Sequence, residues 1–160
     1  MILIIPAATW QSAIAALRQP PHDRERVAYF DGPRSPPGIG IGIVTTLTLP
    51  NADERDGNFH VNASEMSRAG QHLRRLNLMR FAQIHSHPAS WTGHSSYDDE
   101  MAFSQRDGAI SIVVADFAGC SAGLADCGVH VRDAEGWREL DPVEKSAVVQ
   151  TVPSVVDLRQ

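Results

Sequence analysis

The sequence predicts an α/β (α+β) fold, helices layered against a β-sheet, and three observations lead there. Apolar runs rich in β-branched residues recur over 1–5, 39–49, 79–84 and 109–115, the composition of strands. Between them lie stretches with apolar residues at helical spacing, Trp10, Ile14 and Leu17 in one, Met66, Ala69, Leu73 and Leu76 in another. At 160 residues the chain is long enough to bury one substantial core, so a single domain over 1–160 is expected. Helices interleaved with a strand-rich set imply two or three layers around one sheet.

The elements follow in order. Residues 1–5 form a short buried strand, and Pro6, suited to a first helical turn, leads into a helix over 7–19 that Pro20 and Pro21 end. A strand carrying Glu25 comes next, closed by Asp31, Gly32 and Pro33, and then 39–49, expected as one long central strand. Residues 50–58 are polar and turn-like. Phe59, His60 and Val61 make a short strand, after which Asn62 or Ser64 caps a helix through Leu76. Residues 79–84 alternate as a half-buried strand, Pro88 stops its pairing, a turn-rich loop follows, and Ser95 and Asp98 head a new helix. A strand over 109–115 precedes a flexible connection over 119–128. A hairpin over 129–140 reverses at Asp133, Ala134 and Glu135, with Trp137 in its cross-strand packing. Residues 142–160, with their alternating valines, fit either an edge strand or a partner contact.

A formal net charge of −5 leaves no basic stripe, so neither nucleic acid nor an anionic membrane is an expected partner. The opening apolar residues are interrupted by Pro6 and preceded by no basic segment. They support neither a signal peptide nor a membrane span, and a cytoplasmic location is expected. Cys120 and Cys127 have six residues between them, matching neither a Cys-x-x-Cys redox pair nor a zinc knuckle. Two free thiols are expected, a disulfide arising only if flanking strands form a hairpin between them.

The chemistry concentrates in residues 85–98, His-Ser-His-Pro-Ala-Ser-Trp-Thr-Gly-His-Ser-Ser-Tyr-Asp. His85 and His87 leave a strand on one face, because strand side chains repeat every two residues, and the loop can return Asp98 to them. Two imidazoles and a carboxylate leave a fourth position for water, the donor set of a catalytic zinc and not of a cysteine-closed structural one. Each half alone has an ordinary explanation: paired histidines are often surface or core residues, and Ser95 with Asp98 reads as a helix capping box. Joined at this spacing they read as a metal site. Ferrous iron in a facial triad is the alternative ion. A His-x-His barrel of the amidohydrolase kind needs about 250 residues, and a cupin-type site needs a glutamate where Ala89, Ser90, Trp91 and Thr92 stand. His94 is read as an exposed loop residue or substrate contact. Trp91 is placed at the rim, against substrate or anchoring the loop. His22, His60, His72 and His130 have no metal-ligand spacing among them.

These residues resemble the signature of the JAMM (JAB/MPN-type) metalloproteases: His-x-His, seven residues, Ser, two residues, Asp. His85, His87, Ser95 and Asp98 occupy its four places, and Ser86 and Pro88 repeat the family's His-Ser-His-Pro wording. The family's further residue is an upstream Glu in the pattern Glu-x-x-Gly-x-x-x-Gly. Glu25, Ala28 and Gly32 stand there, with alanine for the first glycine and Asp31 more polar than the family's residue. Of the rivals, Glu54 lies in the polar stretch, Glu65 opens a helix and Glu100 follows the motif.

The resemblance, to the short stand-alone prokaryotic type, implies a curved mixed β-sheet flanked by helices, MPN/JAB-like, with a cytidine deaminase-like layering. It implies one zinc ion on His85, His87 and Asp98, with Glu25 as general base and then acid and Ser95 as donor to the oxyanion. The implied activity is a peptidase or isopeptidase acting after the C-terminal Gly-Gly tail of ubiquitin or a ubiquitin-like protein, in conjugates or precursors. E1- and E2-like proteins of a bacterial conjugation system are the implied partners. Segments 50–60 and 103–109, where family members carry substrate-binding insertions, are short here. The alternative is a non-catalytic MPN scaffold that binds proteins; such domains have usually lost ligands, and none is lost here. Relatives associated with DNA repair are disfavoured by the acidic charge.

Overall fold

Residues 1–36, 38–119 and 123–157 are described in a computed structural model of the chain. Strand β1 (Ile2–Pro6) leads into helix α1 (Ala7–Leu17). Strands β2 (Val27–Pro33), β3 (Ile41–Ile43) and β4 (Thr46–Thr48) and the pair β5 (Asp53–Arg55) and β6 (Asn58–His60) precede α2 (Ala63–Arg75). Then come β7 (Leu78–Ser86), α3 (Ser96–Met101), β8 (Ile110–Val114), β9 (Gly128–Asp133), β10 (Gly136–Glu139), α4 (Pro142–Val148) and β11 (Val149–Val152).

The main sheet has six strands in the order β10-β9-β8-β7-β2-β4, with β7 and β8 parallel and every other pair antiparallel. Alternation sorts its side chains. Ala28, Phe30, Ala82, Ile84, Ile110, Ile112 and Val129 face the larger hydrophobic cluster, closed by α1 through Trp10, Ala13, Ile14 and Leu17, with Trp10 stacked on Phe30. Each Val, Leu, Ile or Phe side chain among them contributes roughly 1.5–3 kcal/mol on burial. The opposite face carries Val27, Tyr29, Gln83, His85, Ser111, Val113 and His130 in register across four strands. There α2 lies against β7, and a smaller cluster gathers Val27, Tyr29 and Phe59 with Met66 and Phe103. Asn62 caps α2 by accepting from the Glu65 N–H, and Asn77 at φ 54° follows its end.

The run over 39–49 is not one central strand. It breaks into β3, which joins β1 and β11 in a parallel three-stranded sheet, and β4, the edge of the main sheet. The chain crosses between the sheets at Val44 and Thr45, whose N–H groups donate to the Ile4 and Asp31 carbonyls. Gly42 and Gly32 allow this junction: a Cβ on Gly32 would lie 2.0 Å from the Ile43 carbonyl oxygen, and one on Gly42 3.1 Å from the Phe81 ring. Two sheets therefore meet where one was expected. The tail takes its edge-strand option, α4 folding from a capping box at Asp141 and β11 pairing in parallel with β1.

The polar stretch 50–58 also holds structure, because β5 pairs with β6 across the Asp56-Gly57 turn, Gly57 at φ +97°. In the β2–β7 ladder the register shifts between Phe30 and Asp31, opposite Phe81. That bulge turns Arg80 to the same face as Asp31 and Tyr29. Asp31, wholly buried, accepts from Arg80 at 3.1 Å and from Thr48, and the guanidinium lies 3.6 Å over the Tyr29 ring. The polar departure at Asp31 is thus matched by its own partners. Cys127 is buried and free, its thiol pushed up to about 12 by burial. The expectations for Cys120 and for the connection at 120–122 lie outside the described residues. Among the described residues no helix is long and apolar enough to cross a membrane.

Candidate metal centre

Strand β7 delivers the first donors. His85, opposite Val27, lies on the face away from the larger cluster, and His87, one step past the strand, is held by its N–H to the Val114 carbonyl. The next turn of chain fixes the loop from outside. Asp116 and Phe117, in a left-handed turn with φ near 52° and 51°, donate N–H to the carbonyls of Ala89 and His87. A non-glycine residue in that conformation costs roughly 1–2 kcal/mol, so strain is stored where the loop is pinned. Ser95 then caps α3: its hydroxyl accepts from the Asp98 N–H, while its own N–H and O–H donate to Asp98 Oδ2, each at 2.7 Å. The cap aims Asp98 inward.

Three donors converge. His85 Nε2 and His87 Nε2 are 3.2 Å apart, Asp98 Oδ1 is 3.3 Å from the first and Oδ2 3.2 Å from the second, and all three residues are buried. A tetrahedral zinc with bonds of about 2.0–2.1 Å spaces its donors about 3.3 Å apart; the two imidazole nitrogens match that spacing, and one ligand atom from each of the three residues lies within 4.8 Å of the others. His87 Nδ1 faces the Trp91 carbonyl at 3.2 Å, the backing that orients a metal-binding imidazole. The electrostatics agree. Burial would raise the Asp98 carboxyl, but hydrogen bonds from His85 and His87 overwhelm that and hold it far below the usual carboxylate range. Burial lowers His85; His87 is held above its ordinary value because Asp98 outweighs its burial.

Glu25 stands just before β2 and not within it. Its N–H donates to the Arg55 carbonyl, and its neighbour Arg26 pairs with Glu54 at 3.0 Å, so the β5–β6 hairpin clasps this residue. Antiparallel pairing of Val27 with His85 sets Glu25 beside His87. It is buried, and burial, with Asp98 adding and His87 opposing, pushes its carboxyl up to about 7. The rivals are elsewhere employed: Glu54 on Arg26, and Glu65 on Arg68 and the Asn51 N–H.

Trp91 is 53% exposed, its ring stacked 5.2 Å from His87 and folded over Gly93. The exposed-loop expectation for His94 does not hold. Its side chain is buried, Nδ1 donating to Asp99 at 2.9 Å, its ring stacked 4.2 Å from His130 and tilted against Trp137 at 5.0 Å. The hairpin β9–β10 covers it, which no local pattern in the loop foretold. Three residues were missed. Phe59 lies 5.3 Å from the His85 ring, His130 closes over His94, and Gln83 sits 3.5 Å from His85 Nδ1. Gln83 was detectable: it is a polar residue two positions before His85, on the same face of an otherwise apolar strand.

No family model matches the sequence, and no curated protein matches it. In three dimensions the chain is similar to a protein from Desulfitobacterium hafniense, DSY2949, known from its solution structure, with TM-score 0.71 and 17% identity over 96% of this chain and 95% of that one. It is similar to a JAB1/MPN domain protein from Archaeoglobus fulgidus, AF2198, at 0.53 and 14% over 94% and 98%. The fold is that of the JAB/MPN domains. A third neighbour, described as a JAMM metalloprotease-like zinc site in the proteasome and signalosome, matches at 0.50 and 14% over 95% and 99%. Within the JAB/MPN fold the three clustered residues sit at the end of β7 and the start of α3, with Glu25 flanking them from the segment just before β2.

Proposed function

We propose that the protein is a zinc-dependent peptidase or isopeptidase of the JAMM type, cleaving after the C-terminal tail of a ubiquitin-like protein. The observation that carries this reading is the convergence of His85, His87 and Asp98 donors at 3.2–3.3 Å beside the buried carboxyl of Glu25. Those three residues would hold one zinc ion, which when bound lowers the pKa of a water to near neutrality and polarises a carbonyl. Glu25, the buried carboxyl beside His87, would take the attacking water's proton and return it to the leaving amine. Ser95 Oγ, now donating to Asp98, turns to the carbonyl oxygen as charge develops there, a contribution of about 3 kcal/mol. Its N–H keeps Asp98 Oδ2 satisfied meanwhile.

Substrate contacts follow from the surroundings. Trp91 offers a flat apolar wall beside His87, and a cavity of about 390 Å³ lined by Tyr29, Phe59, Met66 and Phe103 takes an apolar side chain of the extended tail. The neighbour described by its metalloprotease-like zinc site supports the reaction class. The modifier tail as substrate, and E1- and E2-like proteins as partners, rest on the resemblance of the motif. The test is zinc content of untagged protein after loading and desalting, beside Asp98→Ala, with hydrolysis of a ubiquitin-like tail amide. One equivalent and turnover in the parent, both lost in the variant, are expected. A folded parent that retains no zinc overturns the reading.

A further inference from the structure

The two histidines of the centre are backed by different chemistry. His87 Nδ1 faces a carbonyl, which can only accept, so Nδ1 carries a hydrogen. His85 Nδ1 faces the side-chain nitrogen of Gln83 at 3.5 Å. The Gln83 amide is oriented by its neighbours. The Phe103 N–H, which can only donate, lies 3.1 Å from Oε1, and Nε2 donates to Ser111 Oγ at 3.2 Å. Nε2 can only donate, so the ring nitrogen it faces must accept. His85 then keeps its proton on Nε2, directed at Asp98 Oδ1 at 3.3 Å.

We infer that Gln83 is a positioning residue that holds His85 in the tautomer opposed to metal binding and so lowers the affinity of the centre for its ion. The affinity half of this inference rests on the zinc reading above. An ion at His85 Nε2 requires the hydrogen on Nδ1, where it meets the hydrogens of the Gln83 amide. Rotating the amide by half a turn relieves that contact only by aiming its NH₂ at the Phe103 N–H. Either arrangement leaves a donor without an acceptor around a side chain 1% exposed. Glutamate at this position removes the conflict, because its oxygens accept from Phe103 N–H, Ser111 O–H and His85 Nδ1–H together, the carboxylate backing common behind metal-bound histidines.

The test reads the imidazole nitrogens by NMR in the metal-free protein, then zinc affinity by chelator competition for the parent, Gln83→Glu and Gln83→Met. The expected parent spectrum has His85 protonated at Nε2. Gln83→Glu is expected to bind zinc about 10- to 100-fold more tightly, and Gln83→Met, without the opposing donor, no more weakly than the parent. A merely structural side chain would weaken binding in both variants. His85 protonated at Nδ1 in the metal-free parent, or zinc weakened in both folded variants, overturns the inference. A parent with the Nε2–H form that takes up no zinc overturns the hydrolase reading while supporting the tautomer assignment.

Discussion

Replacing Glu25 by glutamine should stabilise the metal-free protein at alkaline pH while abolishing hydrolysis. Burial raises this carboxyl from 4.5 to about 7, so the folded state holds a proton that the unfolded state has released. The contribution of Glu25 to stability is therefore whole below pH 4.5 and is lost as pH rises through about 7. At about 1.4 kcal/mol per pH decade the full shift is worth about 3 kcal/mol. Water at the mouth of the site screens the charge, and roughly half of that, about 1.5 kcal/mol, is the expected gain of Glu25→Gln above about pH 8. In a chain of this length it appears as a rise of about 3–6 °C in Tm. The assay is thermal unfolding in chelator over about pH 5 to 9, beside zinc content and turnover of a tail amide. Zinc should be retained and turnover fall by about 10²–10⁴. A variant no more stable than the parent at alkaline pH, or one with full turnover, refutes the placement of Glu25.

Further outcomes follow from other contacts. Asp98→Ala should lose zinc by more than about 100-fold, since the outer partners of a metal-binding histidine alone are worth about 10- to 100-fold; equilibrium dialysis decides it. Burial, with His94 adding, pushes His130 from 6.5 down to about 3. Its contribution to stability is thus whole above pH 6.5 and drains away as pH falls toward 3. His130→Gln should flatten the acid side of a urea-stability profile, and an unchanged slope would count against that assignment. Gly128→Ala should cost about 2–3 kcal/mol, because its Cβ would lie 2.1 Å from the Thr92 carbonyl oxygen; unaltered denaturant midpoints would show the loop yielding instead. Arg80→Met should cost about 3–5 kcal/mol by leaving Asp31 buried and unpaired, read by the same denaturation.

The donor set was legible because it is local. His85 and His87 share a strand face by the two-residue repeat, and Ser95 with Asp98 is a capping box whose acid points back into the cap. Glu25 was legible only through the wording of a known motif; its burial depends on the β5–β6 hairpin closing over it, and polar Asp53 to Arg55 carry no alternation to announce a strand. The long run over 39–49 misled for a related reason. β-Branched residues favour extended backbone wherever they lie, but they do not say which sheet receives it, and the crossing at Val44 is decided by carbonyls of Ile4 and Asp31 far away in sequence.

By itself, then, the sequence determined the alternation of helices and strands, the face on which the histidines emerge and the chemistry of the donors, since each depends on residues a few positions apart. Tertiary structure decided what depends on approach from distant segments. It raised the Glu25 carboxyl by burial, took His94 out of solvent beneath β9 and β10, paired Asp31 with Arg80 through a bulge, and set the Gln83 amide against His85. A side chain's proton affinity, tautomer and exposure are set by the groups that surround it in space, and those groups come from strands joined only when the sheet assembles.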